Sequence, residues 1–157
     1  MQNARIRRLY SDISSLRQIR IYHPETLQAA IRDDTILISV MAANNEVGSI
    51  QPLKAIGQIA RRHQIVFHTD AVQAYGHIPI NVNECMIDML SMSAHKLHGP
   101  KGVGFLYIRN GLELPSYIDG GSQENGHRAG TSNVPGIVGL GKACEIGRET
   151  CRKTSTA

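Results

Sequence analysis

The chain has 157 residues, of which 41% are hydrophobic, and a formal net charge of +4. This length suits one ordinary domain with a substantial hydrophobic core. No apolar run reaches the roughly eighteen residues that a transmembrane helix needs, and the basic N-terminus lacks the apolar segment of a secretory signal. The three cysteines have neither metal-ligand nor disulfide-framework spacing, which favours a reducing compartment. We therefore expect a cytoplasmic protein that binds no metal and no membrane.

The positive charge is not patterned like a nucleic-acid-binding surface. Basic residues concentrate near the two ends of the chain, at Arg5, Arg7, Arg8, Arg17, Arg20, Arg148, Arg152 and Lys153. No aromatic side chains alternate with them to stack bases. We interpret them as a solvated basic surface and expect no nucleic-acid partner. Nucleic-acid binding remains a rival hypothesis, and it predicts a steep salt dependence of binding.

Hydrophobic periodicity predicts helices that alternate with buried strands. Helices are expected over residues 24–31, from Pro52 to about His63, and over residues 134–152. Strands are expected over residues 36–41, 65–67, 88–93 and 103–108. The first strand is rich in branched apolar residues, which predicts burial on both of its faces. Strand, helix and strand in this order predict parallel pairing, so the expected fold class is α/β.

Polar side chains follow three of the predicted strands. Asn44 and Asn45 follow the first, His68 and Asp70 follow the second, and Ser93 begins a polar group after the third. Ligands of parallel sheets bind beyond the carboxyl ends of the strands. The sequence therefore predicts a ligand site at this edge of the sheet.

Several of these side chains suit cofactor chemistry. A carboxylate such as Asp70 can keep a ring nitrogen protonated and turn the ring into an electron sink, although a lone aspartate here is more often a turn residue. Gln73 can donate a hydrogen bond to a ring oxygen. Ser93 and His95 supply donors for a phosphate. Lys96, beside an imidazole, suits Schiff-base chemistry, whereas a lysine before a glycine turn is usually only solvated.

Two glycine-rich segments lead to different interpretations. Residues 99–104 lack the order of a phosphate-binding P-loop and precede a strand, so we interpret them as a tight turn. Residues 120–131 form a long polar loop, which is expected to be functional. Arg128 and Thr131 in this loop can bind an oxyanion. Cys85 is interpreted as a small buried hydrophobe.

Four motifs occur together: M-x-x-N-N-E-x-G (41–48), H-x-D-A-x-Q (68–73), S-x-H-K-x-x-G-P-K-G-x-G (93–104) and G-G-x-Q-E-x-G-x-R-x-G-T (120–131). In order and approximate spacing they resemble the NifS/IscS-type cysteine desulfurases. The resemblance implies part of the type I aminotransferase large domain, a mostly parallel mixed sheet with flanking helices. It divides the chain into a poorly matching segment (1–22), a partial cofactor-binding domain (23–148) and a poorly matching tail (149–157).

The resemblance also implies pyridoxal 5'-phosphate as the cofactor. Lys96 is implied to be the Schiff-base lysine and the catalytic residue, Asp70 the partner of the pyridinium nitrogen, and Gln73 the partner of the phenolic oxygen. The remaining implied cofactor-binding residues are Ser93 and His95 for the phosphate, Thr131 for the phosphate in a neighbouring subunit, and Asn45 near the cofactor oxygen and the substrate carboxylate.

The activity implied by the resemblance is removal of sulfur from L-cysteine. The products are L-alanine and an enzyme persulfide, which a homodimeric enzyme passes to sulfur-acceptor scaffold proteins for iron–sulfur cluster assembly. The family's N-terminal segment and its small domain with the persulfide cysteine are missing from the sequence, so the isolated chain is expected to be inactive. A selenocysteine lyase, another class-V aminotransferase relative and a non-catalytic interaction fragment remain alternatives.

Overall fold

The computed structural model describes residue 21 and residues 23–154. The elements in chain order are α1 (Pro24–Ala30), β1 (Leu37–Met41), α2 (Leu53–Arg62), β2 (Val66–Asp70), β3 (Met89–Ser93), β4 (Gly104–Ile108) and α3 (Val134–Thr154). The predicted segment 1–22 lies outside the described residues except for residue 21, whereas residues 149–154 of the predicted tail continue helix α3. Within the described ranges, none of the helices combines the length and apolar composition of a bilayer span.

The four strands form one sheet in the order β1-β2-β3-β4. β1, β2 and β3 run parallel, and β4 returns antiparallel to β3. This arrangement confirms the predicted mostly parallel mixed sheet. The second strand is longer than predicted, because it continues through His68 and Thr69 and includes Asp70 as its last residue.

One face of the sheet carries the hydrophobic core. Its buried side chains are Ile38, Val40, Phe67, Thr69, Leu90 and Met92. Helix α2 contributes Ile56, Ile59 and Ala60 to the same core. The one polar member, Thr69, donates its hydroxyl hydrogen to the carbonyl oxygen of Val40 at 3.0 Å. Burial of these apolar side chains contributes about 1.5–3 kcal/mol for each large residue.

The opposite face of the sheet is only partly covered, and we call it the open face. It is formed by the alternate residues of β1 to β3: Ser39, Met41, His68, Asp70, Ser91 and Ser93. Ser39 is exposed, so the prediction that the first strand is buried on both faces is wrong. Side chains alternate between the two faces of a strand, and Ser39 is the polar residue that points to the open face. The apolar run of β1 is therefore interrupted on that face.

A close helix–loop contact fixes where α2 lies. Gly57 is buried in α2, and a Cβ atom added to it would overlap the backbone carbonyl oxygen of Cys85. Helix α2 can therefore approach the segment before β3 only because residue 57 has no side chain.

Replacing Gly57 with alanine is expected to destabilise the chain by about 1–3 kcal/mol, because overpacking against backbone outweighs the better helix propensity of alanine. The free energy of unfolding in urea measures this. Gly141→Ala in α3 is the matched control, because a Cβ atom there has no neighbour within 4 Å. That variant should gain about 0.5–1 kcal/mol. Equal stabilities of the two variants would contradict the close contact at Gly57.

The amino ends of β2 and β3 are held by a polar clamp centred on Arg109. Its Nε atom lies 3.2 Å from Asp88 Oδ1, and its Nη2 atom donates to the carbonyl oxygens of Val82 and Ile87 at 2.9 and 2.8 Å. Asp88 Oδ2 in turn accepts the backbone N–H of Phe67 at 3.0 Å. The clamp thus joins β2, the segment before β3, and the end of β4.

Candidate functional site

The carboxyl ends of the three parallel strands bring Asp70 and Ser93 to one edge. Asp70 is paired in register with Met41 of β1 and with Ser91 of β3. Ser93 is two residues beyond Ser91, so its side chain lies on the same face as Asp70. Both side chains are half-buried. The sequence-based expectation that polar groups converge at this edge agrees with the structure for these residues.

The Asp70 carboxylate is held by backbone contacts. Its Oδ1 atom accepts the N–H of Val72 at 2.9 Å. The backbone around it is fixed on both sides, because its own carbonyl accepts the N–H of Ala42 at 2.8 Å and the next N–H donates to Ser91. Within the described part of the chain, Oδ2 makes no hydrogen bond. Asp70 therefore offers an oriented carboxylate oxygen to a ligand.

Ser93, His95 and Lys96 follow on a single 3₁₀ turn, Ala94–Leu97. Ser93 Oγ lies 2.7 Å from His95 Nδ1. Leu97 is buried and anchors the turn, while the Lys96 side chain is exposed. Across residues 23–154, no hydrogen bond or ion pair engages the Lys96 ammonium. The turn thus presents a free amine next to a hydroxyl–imidazole pair.

A histidine that the sequence analysis missed supports this turn. His77 Nε2 lies 3.1 Å from the backbone carbonyl oxygen of Lys96. A carbonyl oxygen can only accept, so Nε2 carries the hydrogen and donates it. His77 lies outside the matched motifs, and no spacing in the sequence links it to Lys96.

The other predicted site residues lie on loops. Asn45 is exposed in the loop after β1, where Asn44 Oδ1 accepts the N–H groups of Glu46 and Val47 at 3.0 Å. Gln73 is half-buried in the turn after β2, and Thr131 is exposed before α3. No hydrogen bond to any residue that the structure describes engages the side chain of Asn45 or Thr131. The structure therefore does not itself connect Thr131 with the edge at Asp70.

The glycine-rich loop is stabilised largely by Arg128. Its Nη1 atom donates to the carbonyl oxygen of Gly130 at 2.7 Å, and its Nη2 atom lies 3.2 Å from Glu124 Oε1. The guanidinium predicted to bind an oxyanion is thus engaged by its own loop. In the same loop, Gln123 Oε1 is buried and has no hydrogen-bond partner among the described residues.

His68 is the titratable group beside Asp70 on the open face. Burial lowers the pKa of its imidazole below the ordinary value of 6.5, and the negative charge of Asp70 opposes that shift without cancelling it. His68 is therefore neutral at neutral pH. Its Nδ1 atom lies 2.8 Å from Ser39 Oγ on the neighbouring strand.

A cavity of about 540 Å³ lies at the opposite edge of the sheet, near the amino ends of β2 and β3. Arg61, Val66, Asp88, Arg109 and Leu112 are among its lining residues. None of the predicted site residues lines it, and its Arg109 and Asp88 already form the structural clamp. We therefore place the candidate site at the carboxyl edge, where the chemically suited side chains meet.

The side chains at this edge fit pyridoxal phosphate by their chemistry. An exposed amine without a partner suits an aldehyde, an oriented carboxylate oxygen suits a protonated ring nitrogen, and the Ser93–His95 pair suits a phosphate. All three groups lie at the ends of β2 and β3. These three polar groups thus match the three polar ends of this cofactor.

The fold and this edge together define a class: α/β cofactor-binding domains whose ligand lies at the carboxyl ends of parallel strands. Within that class, the family model named aminotransferase class-V matches residues 2–155. The chain belongs to the class-V aminotransferase family.

Individual relatives agree with this family. The chain is 63% identical over 123 residues to a protein named cysteine desulfurase IscS from Methanosarcina thermophila, covering 78% of this chain and 30% of the relative. It superposes on a solved NifS-like protein with a TM-score of 0.81 and 46% identity, covering 87% of this chain and 38% of that one. A structure of SspA in complex with cysteine gives a TM-score of 0.77 and 48% identity, over 80% and 37% of the two chains. The chain thus spans about a third of the length of these relatives.

Proposed function

We propose that this chain carries the cofactor-binding part of a pyridoxal-phosphate-dependent cysteine desulfurase. The observation that carries the proposal is the 63% identity to a cysteine desulfurase over a region that includes the carboxyl edge. We propose residues 23–148 as the cofactor-binding domain. L-Cysteine is the proposed substrate, within a cytoplasmic homodimer that passes sulfur to acceptor scaffold proteins for iron–sulfur cluster assembly.

We assign the residues of the edge by their chemistry and their motifs. Pyridoxal phosphate supplies an electron sink when it is bound. Lys96 holds its aldehyde carbon, Asp70 keeps its ring nitrogen protonated, and Gln73 donates to its phenolic oxygen. The phosphate is held by the Ser93–His95 pair.

Two loop residues complete the proposed set. Asn45, exposed beside the end of β1, is assigned to the cofactor oxygen and the substrate carboxylate. Thr131, exposed before α3, is assigned to the phosphate in a neighbouring subunit. Its exposure and its lack of a hydrogen bond in the described part of the chain support a role toward a second subunit.

Cys85 and Cys144 are poor candidates for the sulfur-accepting thiolate. Burial raises the pKa of the Cys85 thiol. Burial also raises the pKa of the Cys144 thiol, which Tyr75 opposes only in part through a hydrogen bond. A raised pKa keeps a thiol protonated and weakly nucleophilic. Cys151 is half-buried in α3.

We expect the purified chain to capture pyridoxal phosphate but to release no sulfide from L-cysteine above the rate of the free cofactor. Correct placement of reacting groups is worth on the order of 7–11 kcal/mol of barrier. Burial raises the pKa of the Cys85 and Cys144 thiols, so neither is an activated thiolate. Absorbance spectra of the chain with added cofactor measure capture, and a sulfide assay measures turnover. Failure to capture the cofactor would overturn the proposed function. Multiple turnovers would show that one of these cysteines acts as a nucleophile.

A further inference from the structure

His68 is the titratable member of the H-x-D-A-x-Q motif to which the proposed function gives no role. Its half-buried imidazole lies on the open face, and its Nδ1 atom is 2.8 Å from Ser39 Oγ. Ser39 is also its register partner on β1. The hydrogen bond therefore links the imidazole ring of β2 to the neighbouring strand β1 and fixes the orientation of the ring.

Asp70 lies two residues beyond His68 on the same strand and the same face. Side chains with this spacing are roughly 6–7 Å apart at their backbone origins. The register neighbours of the pair on β1 and β3 are uncharged: Ser39 and Met89 beside His68, and Met41 and Ser91 beside Asp70. Among the described residues, Asp70 is thus the charged group that faces His68 from these strands.

The charge of His68 depends on pH in the acid range. Burial lowers the pKa of the imidazole below 6.5, while Asp70 acts in the opposite direction. The neutral ring keeps its bond to Ser39 in either tautomer, because a hydroxyl can donate or accept. After protonation Nδ1 can only donate, so Ser39 accepts, and a full positive charge then lies beside Asp70.

Building on the proposed function, we propose that His68 is a positioning residue for Asp70. While the imidazole is neutral and hydrogen-bonded to Ser39, the Asp70 carboxylate interacts with the protonated ring nitrogen of pyridoxal phosphate and not with His68. As an imidazolium, it shares the carboxylate charge and repels the cationic ring. Protonation of His68 therefore lowers the affinity for the cofactor at acidic pH. This effect adds to those of protonation of the cofactor and of Lys96.

The test compares the affinity of the full chain for pyridoxal phosphate at about pH 8 and about pH 5.5, the range over which histidine titrates. His68→Gln keeps a polar neutral side chain and removes the titration. The wild-type affinity should fall at least several-fold more than that of His68→Gln, because protonation places a positive charge beside the carboxylate that binds the cationic ring. His63→Gln is the matched control, because His63 is exposed at the end of α2 and should follow the wild type.

A second measurement requires no variant. Binding and protonation are reciprocal, so a cofactor that binds better to neutral His68 must make His68 harder to protonate. The titration midpoint of the His68 ring, followed by NMR, should move to lower pH when pyridoxal phosphate is added. Parallel pH profiles of wild type and His68→Gln, or an unmoved midpoint with bound cofactor, would overturn this inference alone. A wild-type chain that binds no cofactor at about pH 8 would overturn the proposed function and this inference with it.

Discussion

Lys96→Ala is expected to abolish covalent capture of pyridoxal phosphate while leaving the fold intact. Lys96 is exposed on the 3₁₀ turn, and its ammonium has no partner among the described residues, so the amine is free to react. Removing an exposed side chain of this kind changes the free energy of unfolding by less than about 0.5 kcal/mol. Borohydride reduction followed by peptide mapping measures the adduct, which should lie on Lys96 in the wild type.

The other lysines provide the control for this prediction. Lys101→Ala should retain the adduct, because Lys101 lies in the exposed turn before β4 and not on the 3₁₀ turn Ala94–Leu97. Lys142 is hydrogen-bonded to Glu145 at 2.9 Å, and that bond and its charge raise the pKa of the amine, which reduces the neutral, nucleophilic fraction. An adduct found mainly on Lys54, Lys101 or Lys142 would contradict the assignment of Lys96.

The sheet was predictable because parallel strands leave a strong local signal. A short run of branched apolar residues marked β1, methionine and leucine marked β3, and the polar residues after both marked the carboxyl edge. The boundary of β2 was predicted less well. His68 and Asp70 are polar strand residues that lie on the open face, and a search for continuous apolar residues stops before them.

Contacts between distant parts of the chain could not be predicted in this way. His77 supports the carbonyl of Lys96 from 19 residues away, and Ser39 holds His68 from 29 residues away. Each pair is joined only by the tertiary fold, because neither spacing corresponds to a helix or strand period. The motifs predict which residues carry chemistry, whereas the hydrogen bonds that support those residues are visible only in the three-dimensional structure.

The clamp at the other edge of the sheet should govern stability rather than chemistry. Arg109 and Asp88 have side chains that are 25% and 20% exposed, so the pair is largely shielded from water. Arg109→Met keeps most of the apolar stem but leaves Asp88 without its cationic partner and the carbonyls of Val82 and Ile87 without the Nη2 donor. Breaking such a pair from one side costs about 3–5 kcal/mol when it is fully buried, so we expect a loss near about 3 kcal/mol here.

Urea unfolding of Arg109→Met and of Arg32→Met tests whether the clamp has this effect. Arg32 forms an ion pair with Asp34 whose side chains are 63% and 56% exposed, and removing it should change stability by less than about 1 kcal/mol. Equal unfolding midpoints for the two variants would contradict the structural role of Arg109. At urea concentrations well below unfolding, Arg109→Met should still capture pyridoxal phosphate on Lys96, because the clamp and the carboxyl edge lie at opposite ends of the same strands. We thus expect Arg109→Met to lose stability but keep cofactor capture, and Lys96→Ala to lose cofactor capture but keep stability.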